Sequence, residues 1–261
     1  MTLEKPVDTK SLNLAPGRGR VPLPAVISRQ TGMELRLTLR RPDVLVVMAV
    51  PPLLALLGVG LTDIVRLPTA DRLGFVVPGA VALAVMATAF VGLAVSTGYE
   101  RGHGVLKRLG ASALPTWGLL LAKIAAALVL IEAQLFLLIG IGMLLGWRPH
   151  LAGVAGAFAL VALATAAFAG VGLIMAGRLR AETASGAANL LYLLMIVCGD
   201  VVFPLPGGVV EGTQLLPVTA LAEGLRSALS AGAGVPVGYW SLLGLWAVIG
   251  LVSVVLWFRW E

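Results

Sequence analysis

The sequence predicts an all-α integral membrane protein: six transmembrane helices, a short interfacial helix before the first, and an interfacial or re-entrant segment between the fifth and sixth. Three observations predict it. The 261 residues are 59% hydrophobic and 12% charged, about half the ~25% charge of a soluble domain. The apolar residues fall in blocks of about 18 to 29, long enough to cross a hydrocarbon core of ~30 Å. The ten-residue alternating segments of an outer-membrane barrel do not occur, whereas 32 glycines among Ala-rich blocks suit close helix packing in lipid.

In order along the chain, residues 1–24 are polar, rich in Pro and Gly, and lack the apolar core of a secretory signal, which predicts a disordered cytoplasmic tail. In 25–41, Met33, Leu35, Leu37 and Leu39 alternate with Glu34, Arg36, Thr38 and Arg40, which formally fits a strand. A lone strand at a membrane has no partner for its backbone, so an interfacial helix is expected. The transmembrane domain then covers 42–261, with spans near 44–61, 73–95, 117–145, 151–176, 187–203 and 239–258. Pro51 and Pro52 predict a kink in the first span, because neighbouring groups satisfy the freed carbonyls. Residues 177–185 carry Arg178, Arg180 and Glu182 and read as a short polar turn. In 217–231, Val218, Leu221, Ala222, Leu225 and Leu229 recur at helical spacing, Gly232 is a stop signal, and Glu223 can pair with Arg226. That run is too short to span.

Charge sets the orientation. With the N-terminus inside, 14 Lys and Arg residues fall on the inner side and four on the outer side, so both termini are expected in the cytoplasm. Lys123, near the inner end of span three, is expected to snorkel. The same distribution explains the net charge of +6 and pI of about 10.1 without nucleic acid, since no basic face with interleaved aromatics appears. Cys198, the chain's one cysteine, excludes an intrachain disulfide and reads as inert packing in an apolar span.

Tyr99 to Pro115, YERGHGVLKRLGASALP, is the one long polar run between apolar blocks. It falls on the cytoplasmic side and is far longer than a turn needs. As a helix it offers Glu100, Arg101, Lys107 and Arg108 as a polar surface and Val105, Leu106 and Leu109 for packing, which predicts docking into a groove of a soluble partner. The chain has no phosphate-binding GxxxxGK[ST] and no HExxH or GxSxG, so ATP hydrolysis and hydrolytic chemistry have no visible apparatus in it. His103 and His150 fall on opposite sides of the membrane, which excludes a shared metal site. Glu132, with Gln134 two residues on, is the acid deep inside an apolar span. Such a group either lines a substrate or proton path or is a hydrogen-bonded packing residue, and the sequence leaves both open. A proton-coupled secondary carrier using Glu132 is the alternative function. Asp200, near the outer end of span five, reads as interfacial.

Three ordered motifs resemble the ATP-binding-cassette type-2 exporter permeases. Glu100-Arg101, Gly104-Val105-Leu106-Lys107-Arg108-Leu109 and Ala111-Ser112 resemble that family's ER-x-x-G-T-L-K-x-L loop after span two. Phe75-Val76-Val77-Pro78-Gly79 resembles its Pro-Gly entry to span two. Gly199 to Pro204, Leu216-Pro217, Leu221 and Leu225-Arg226 resemble its region before span six. The resemblance covers about 33–261, with Val105 in place of the usual Thr and Ala113 in place of Pro. The Ala, Gly, Val and Arg bias is similar to high-GC actinobacterial members of the antibiotic-exporter type.

The resemblance implies that 25–41 is a connecting helix and that 99–111 is a coupling helix, with Tyr99 and Gly104 among its partner-facing residues. It further implies a re-entrant hairpin between spans five and six, and a permease dimer of two copies or paralogues in the bacterial plasma membrane. ATP and Mg would then be bound by separate ATPase subunits, with no cofactor and no catalytic residue in this chain. The substrate would be a hydrophobic or amphipathic drug, lipid or glycan.

Overall fold

A computed structural model describes residues 22–62, 65, 67, 69, 71–106, 115–204 and 212–258. All regular elements among them are helical. They are α1 (Leu23–Leu39), α2 (Pro42–Leu54), α3 (Arg72–Val85), α4 (Leu93–Gly102), α5 (Thr116–Leu144), α6 (Leu151–Arg178), α7 (Ala181–Cys198), α8 (Pro217–Leu229) and α9 (Val237–Trp257). Five helical runs are long and apolar enough to cross a membrane, and α1 with α2 makes a sixth if the bent pair is one span.

Local sequence explains the boundaries. Pro22, Pro115, Leu216 and Pro236 are extended residues that open α1, α5, α8 and α9. The Asp71 carboxylate caps α3 by accepting from the Gly74 N–H at 2.9 Å. Pro51 and Pro52 remove two N–H donors from the first span, and the ladder widens into π-helix over Ala55–Val59. A second π-helical stretch, Met86–Gly92, joins α3 to α4 without a break, so 72–102 is one continuous helical run.

That run is the centre of the bundle. Its most apolar window is 94% buried, against 17% for α7 and 22% for α9. The long helix α6 packs beside it through glycines. A Cβ on Gly172 would stand 2.5 Å from the Phe90 carbonyl oxygen, and one on Gly170 would stand 2.6 Å from the Gly250 backbone of α9. Those backbones meet because no side chain intervenes, the packing expected of helices in lipid. The short helix α8 is buried almost throughout against α3, α6 and α9, and Ser230 just beyond it donates to the Gly74 carbonyl. It closes the end of the bundle opposite α1.

Several expectations change. Leu23 and Pro24 open a helix and are not part of a tail, while 1–21 lie outside the described residues. The alternating stretch is helical in α1, and no residue of α1 is fully buried. The polar turn expected over 177–185 shrinks to Leu179 and Arg180, because the small residues Ala181, Ala184 and Gly186 let α7 begin early. The same helix ends at Cys198, short of the expected 203, as the chain turns through Gly199 and a left-handed Asp200 with φ of 51°. Cys198 is exposed and does not serve as core packing.

Candidate coupling site and cavities

Tyr99, Glu100 and Arg101 do not begin a separate helix. They form the last turn of α4, and the chain leaves it through His103 and Gly104, whose φ of 69° is a conformation glycine accepts readily. Val105 and Leu106 resume helical geometry; Leu106 is buried and Val105 is exposed. Lys107, Arg108 and Leu109 lie outside the described residues.

The polar side chains of that last turn face inward. The Glu100 carboxylate pairs with the Lys123 ammonium of α5 at 2.7 Å, and the same ammonium pairs with Glu34 of α1 at 3.0 Å. Glu34 also accepts from the Gln30 side-chain amide at 3.1 Å. Lys123 is 2% exposed, so it does not snorkel. An unpaired ammonium buried in an apolar span would cost several kcal/mol, and two carboxylates on neighbouring helices hold it inside instead. Arg101 donates one N–H to the Gly177 carbonyl at 2.7 Å and another to the Leu179 carbonyl, gripping the turn between α6 and α7. Tyr99 is 43% exposed and stacks on His103. Of the predicted partner-facing residues, Tyr99 and Val105 therefore face outward, while Glu100, Arg101 and Leu106 tie the segment to the bundle.

Two cavities border this junction. One of about 310 Å³ lies between α1, the second π-helical stretch and α5, lined by Glu34, Glu100, Lys123, Thr88 and Leu130. The other, of about 750 Å³, opens between α2, α4 and α7, with Val47, Val91, Tyr99 and Asn189 in its walls. Met48 and Gly92 line both, so the first turns of α2 divide them.

Gln134 and Glu132 part company. Gln134 accepts a hydrogen bond from Thr88 at 3.2 Å, next to the smaller cavity. Two residues earlier is roughly 200° round the helix, and Glu132 lines neither cavity; its Oε2 is buried with no hydrogen-bond partner among the described residues.

A second charged cluster sits at the far end. The Arg226 guanidinium donates to the Asp200 and Val201 carbonyls at 2.8 Å each and to the Phe75 carbonyl at 3.4 Å. It pairs with Glu223 and with the Asp200 carboxylate, and lies 3.6 Å from the centre of the Phe75 ring. Burial pushes the pKa of Arg226 down, and Glu223 and Asp200 counter that push. Sequence spacing finds the Glu223 pair but not Asp200 or Phe75, which are brought in by the fold. The Lys123 junction had a legible signal in one lysine inside an apolar span, but nothing in the chain order names its partners.

A family model described as ABC-2 type transporter matches residues 31–230. The chain belongs to the ABC-2 type transporter family. Among curated proteins none matches. As an ABC-2 protein it is the multi-pass membrane permease of an ABC transporter, a transport subunit of a family that normally works with a nucleotide-binding ATPase. The permease's matched region holds both charged clusters and, apart from Gln30, the walls of both cavities.

Proposed function

We propose that this permease exports a hydrophobic or amphipathic substrate (a drug or antibiotic, a lipid or a glycan) from the bacterial cytoplasm, driven by a separate ATPase chain that binds ATP and Mg²⁺. The α1 end is the cytoplasmic end, a choice supported by the excess of Lys and Arg there; both termini then lie inside the cell. Two permease copies or paralogues pair side by side within the membrane. The exposed side of α7 supports that pairing, and the apolar cavity of about 750 Å³ beside it becomes the substrate chamber once a second copy closes it.

The ATPase docks on the segment 99–111, touching Tyr99 and Val105, with Lys107, Arg108 and Leu109 as further contacts. The observation that carries this reading is the shared ammonium of Lys123. A push on the segment moves α4, the ion pairs pass it to α1 and α5, and Arg101 passes it to the α6–α7 turn. All of these helices border a cavity or lead into one that does. A rigid-body swing of the bundle between inward- and outward-open forms is the expected result.

The test is substrate-stimulated ATP hydrolysis by the purified permease–ATPase complex. Arg101→Ala, and separately Glu100→Gln, should remove most of the stimulation while the permease still inserts and still folds. Undiminished stimulation in both variants overturns the coupling assignment. Full transport by the permease without any ATPase overturns export by ATP.

A further inference from the structure

Helix α1 carries charge that the bundle does not use. Its inner side, with Gln30, Glu34 and Thr38, packs over α5 and the smaller cavity. Arg29, Arg36 and Arg40 follow one another at spacings of seven and four residues, which keeps them within an arc of about 40° on the side turned away from that contact. All three are exposed. Among the described residues none of them has an ion pair, whereas Lys123 and Arg226 each have two carboxylate partners.

The residues beside this stripe are apolar and equally uncovered. Met33 is 54% exposed and Leu37 51% on one flank, where both also line the rim of the smaller cavity, and Leu39 is 52% exposed on the other. Around the helix the order is therefore bundle, exposed aliphatic, arginine, exposed aliphatic. Beyond its C-terminal end the chain turns through 74° into the helical run Val44–Val59, so α1 lies across the direction of the first span. A soluble protein groove would match the arginines with acids and leave the aliphatic flanks to be covered separately. A lipid surface matches both at once: head groups at the stripe and acyl chains at the flanks.

We propose that α1 is a binding site for anionic phospholipid, with Arg29, Arg36 and Arg40 taking the phosphate groups of the leaflet facing the α1 end and Met33, Leu37 and Leu39 seated among the upper acyl carbons. Long arginine stems suit this placement, because they cover apolar surface while the guanidinium stays at head-group level. Bidentate N–H pairs on phosphate oxygens hold each contact more firmly than charge alone. Since Glu34 on the opposite side of the same helix pairs with Lys123, lipid held at the stripe also fixes the wall of the smaller cavity.

The test uses the full chain with Cys198 replaced by serine and a single thiol placed by Leu39→Cys, on the flank that lines neither cavity. The thiol is labelled with bimane, and the protein is reconstituted in vesicles of phosphatidylcholine with phosphatidylglycerol as the minor component. Quenching by brominated phosphatidylglycerol is compared with quenching by the same mole fraction of brominated phosphatidylcholine. The expected result is stronger quenching by the anionic lipid, a preference that falls with added salt. Arg29→Gln, Arg36→Gln and Arg40→Gln together should reduce it at least about fivefold, since each basic residue beside an anionic leaflet contributes on that scale.

The matching triple lysine variant keeps the charge and should keep most of the preference, which separates lipid binding from misfolding. Equal quenching by the two lipids in the parent chain overturns the proposal, and so does an unchanged preference in the triple glutamine variant. If that variant instead loses a co-purifying ATPase while its lipid preference stays intact, the stripe faces a protein and the proposal fails. The measurement needs neither ATP nor a partner chain, so its failure leaves the export reading standing.

Discussion

The two ends of the bundle solve the same problem with different cations. At the far end Arg226 is bonded to three backbone carbonyls as well as two carboxylates and an aromatic ring. At the α1 end Lys123 meets only two carboxylates, each on a different helix. A guanidinium fork fixes directions, whereas an ammonium is a point charge that tolerates rotation of its partners. Arg226 therefore welds α8 to α3 and to the exit of α7. Lys123 joins α1, α4 and α5 in a way that tolerates small movements, which is what the proposed coupling requires.

The difference can be broken at its stiffer end first. Arg226→Ala leaves three carbonyls and two carboxylates without their donor, and about 3–5 kcal/mol of stability should go with it. In detergent this should appear as a large drop in the apparent melting temperature or loss of monodisperse protein. Arg226→Lys should recover only a minor part, because the carbonyl bonds need the fork; full recovery would mean that charge alone holds that end together.

Lys123→Met comes second. Glu34 and Glu100 are then left facing each other, but their side chains are 14% and 28% exposed and can rehydrate or take up protons. A loss of about 2 kcal/mol is expected, below that of Arg226→Ala. The same melting assay ranks the two, and a reversed order would remove the contrast between weld and joint. Glu34→Gln or Glu100→Gln alone leaves Lys123 one carboxylate, so each should cost only about 1 kcal/mol. Glu132→Gln should be the smallest, within about 0.5 kcal/mol. Transport by the assembled complex should be unchanged by it across a pH series, because Glu132 lines neither cavity; altered pH dependence would return Glu132 to the transport path.

What was legible in the sequence follows the same division. Helix existence and class rest on long apolar blocks, which a helix satisfies within each segment in lipid and which lack the alternation of a barrel strand. The family resemblance is borne out by the ABC-2 match over 31–230. Glu223 and Arg226 were readable because they are three apart on one helix. Glu34, Glu100 and Lys123 were not readable as a set, since they stand far apart in the chain and meet only through packing. The inward turn of Glu100 and Arg101 was hidden for a related reason. A polar run beside a membrane reads as surface, and its buried partners (a lysine in α5 and the carbonyls of another turn) carry no local pattern. Gln134 and Glu132 looked like neighbours by number, and helical geometry set them on different sides.

The π-helical stretch Met86–Gly92 has one more consequence. It sits in the single rod that carries Phe75 near one end and Glu100 near the other. An α-helix turns about 100° per residue, so the wider turns here fix the angular phase between those two side chains. Deleting one residue from the stretch would tighten the rod and swing Glu100 by roughly that angle, off Lys123, while Phe75 kept its place against Arg226. The widened turns thus work as a phase adjuster, letting one rod satisfy two distant counter-charges at the same time.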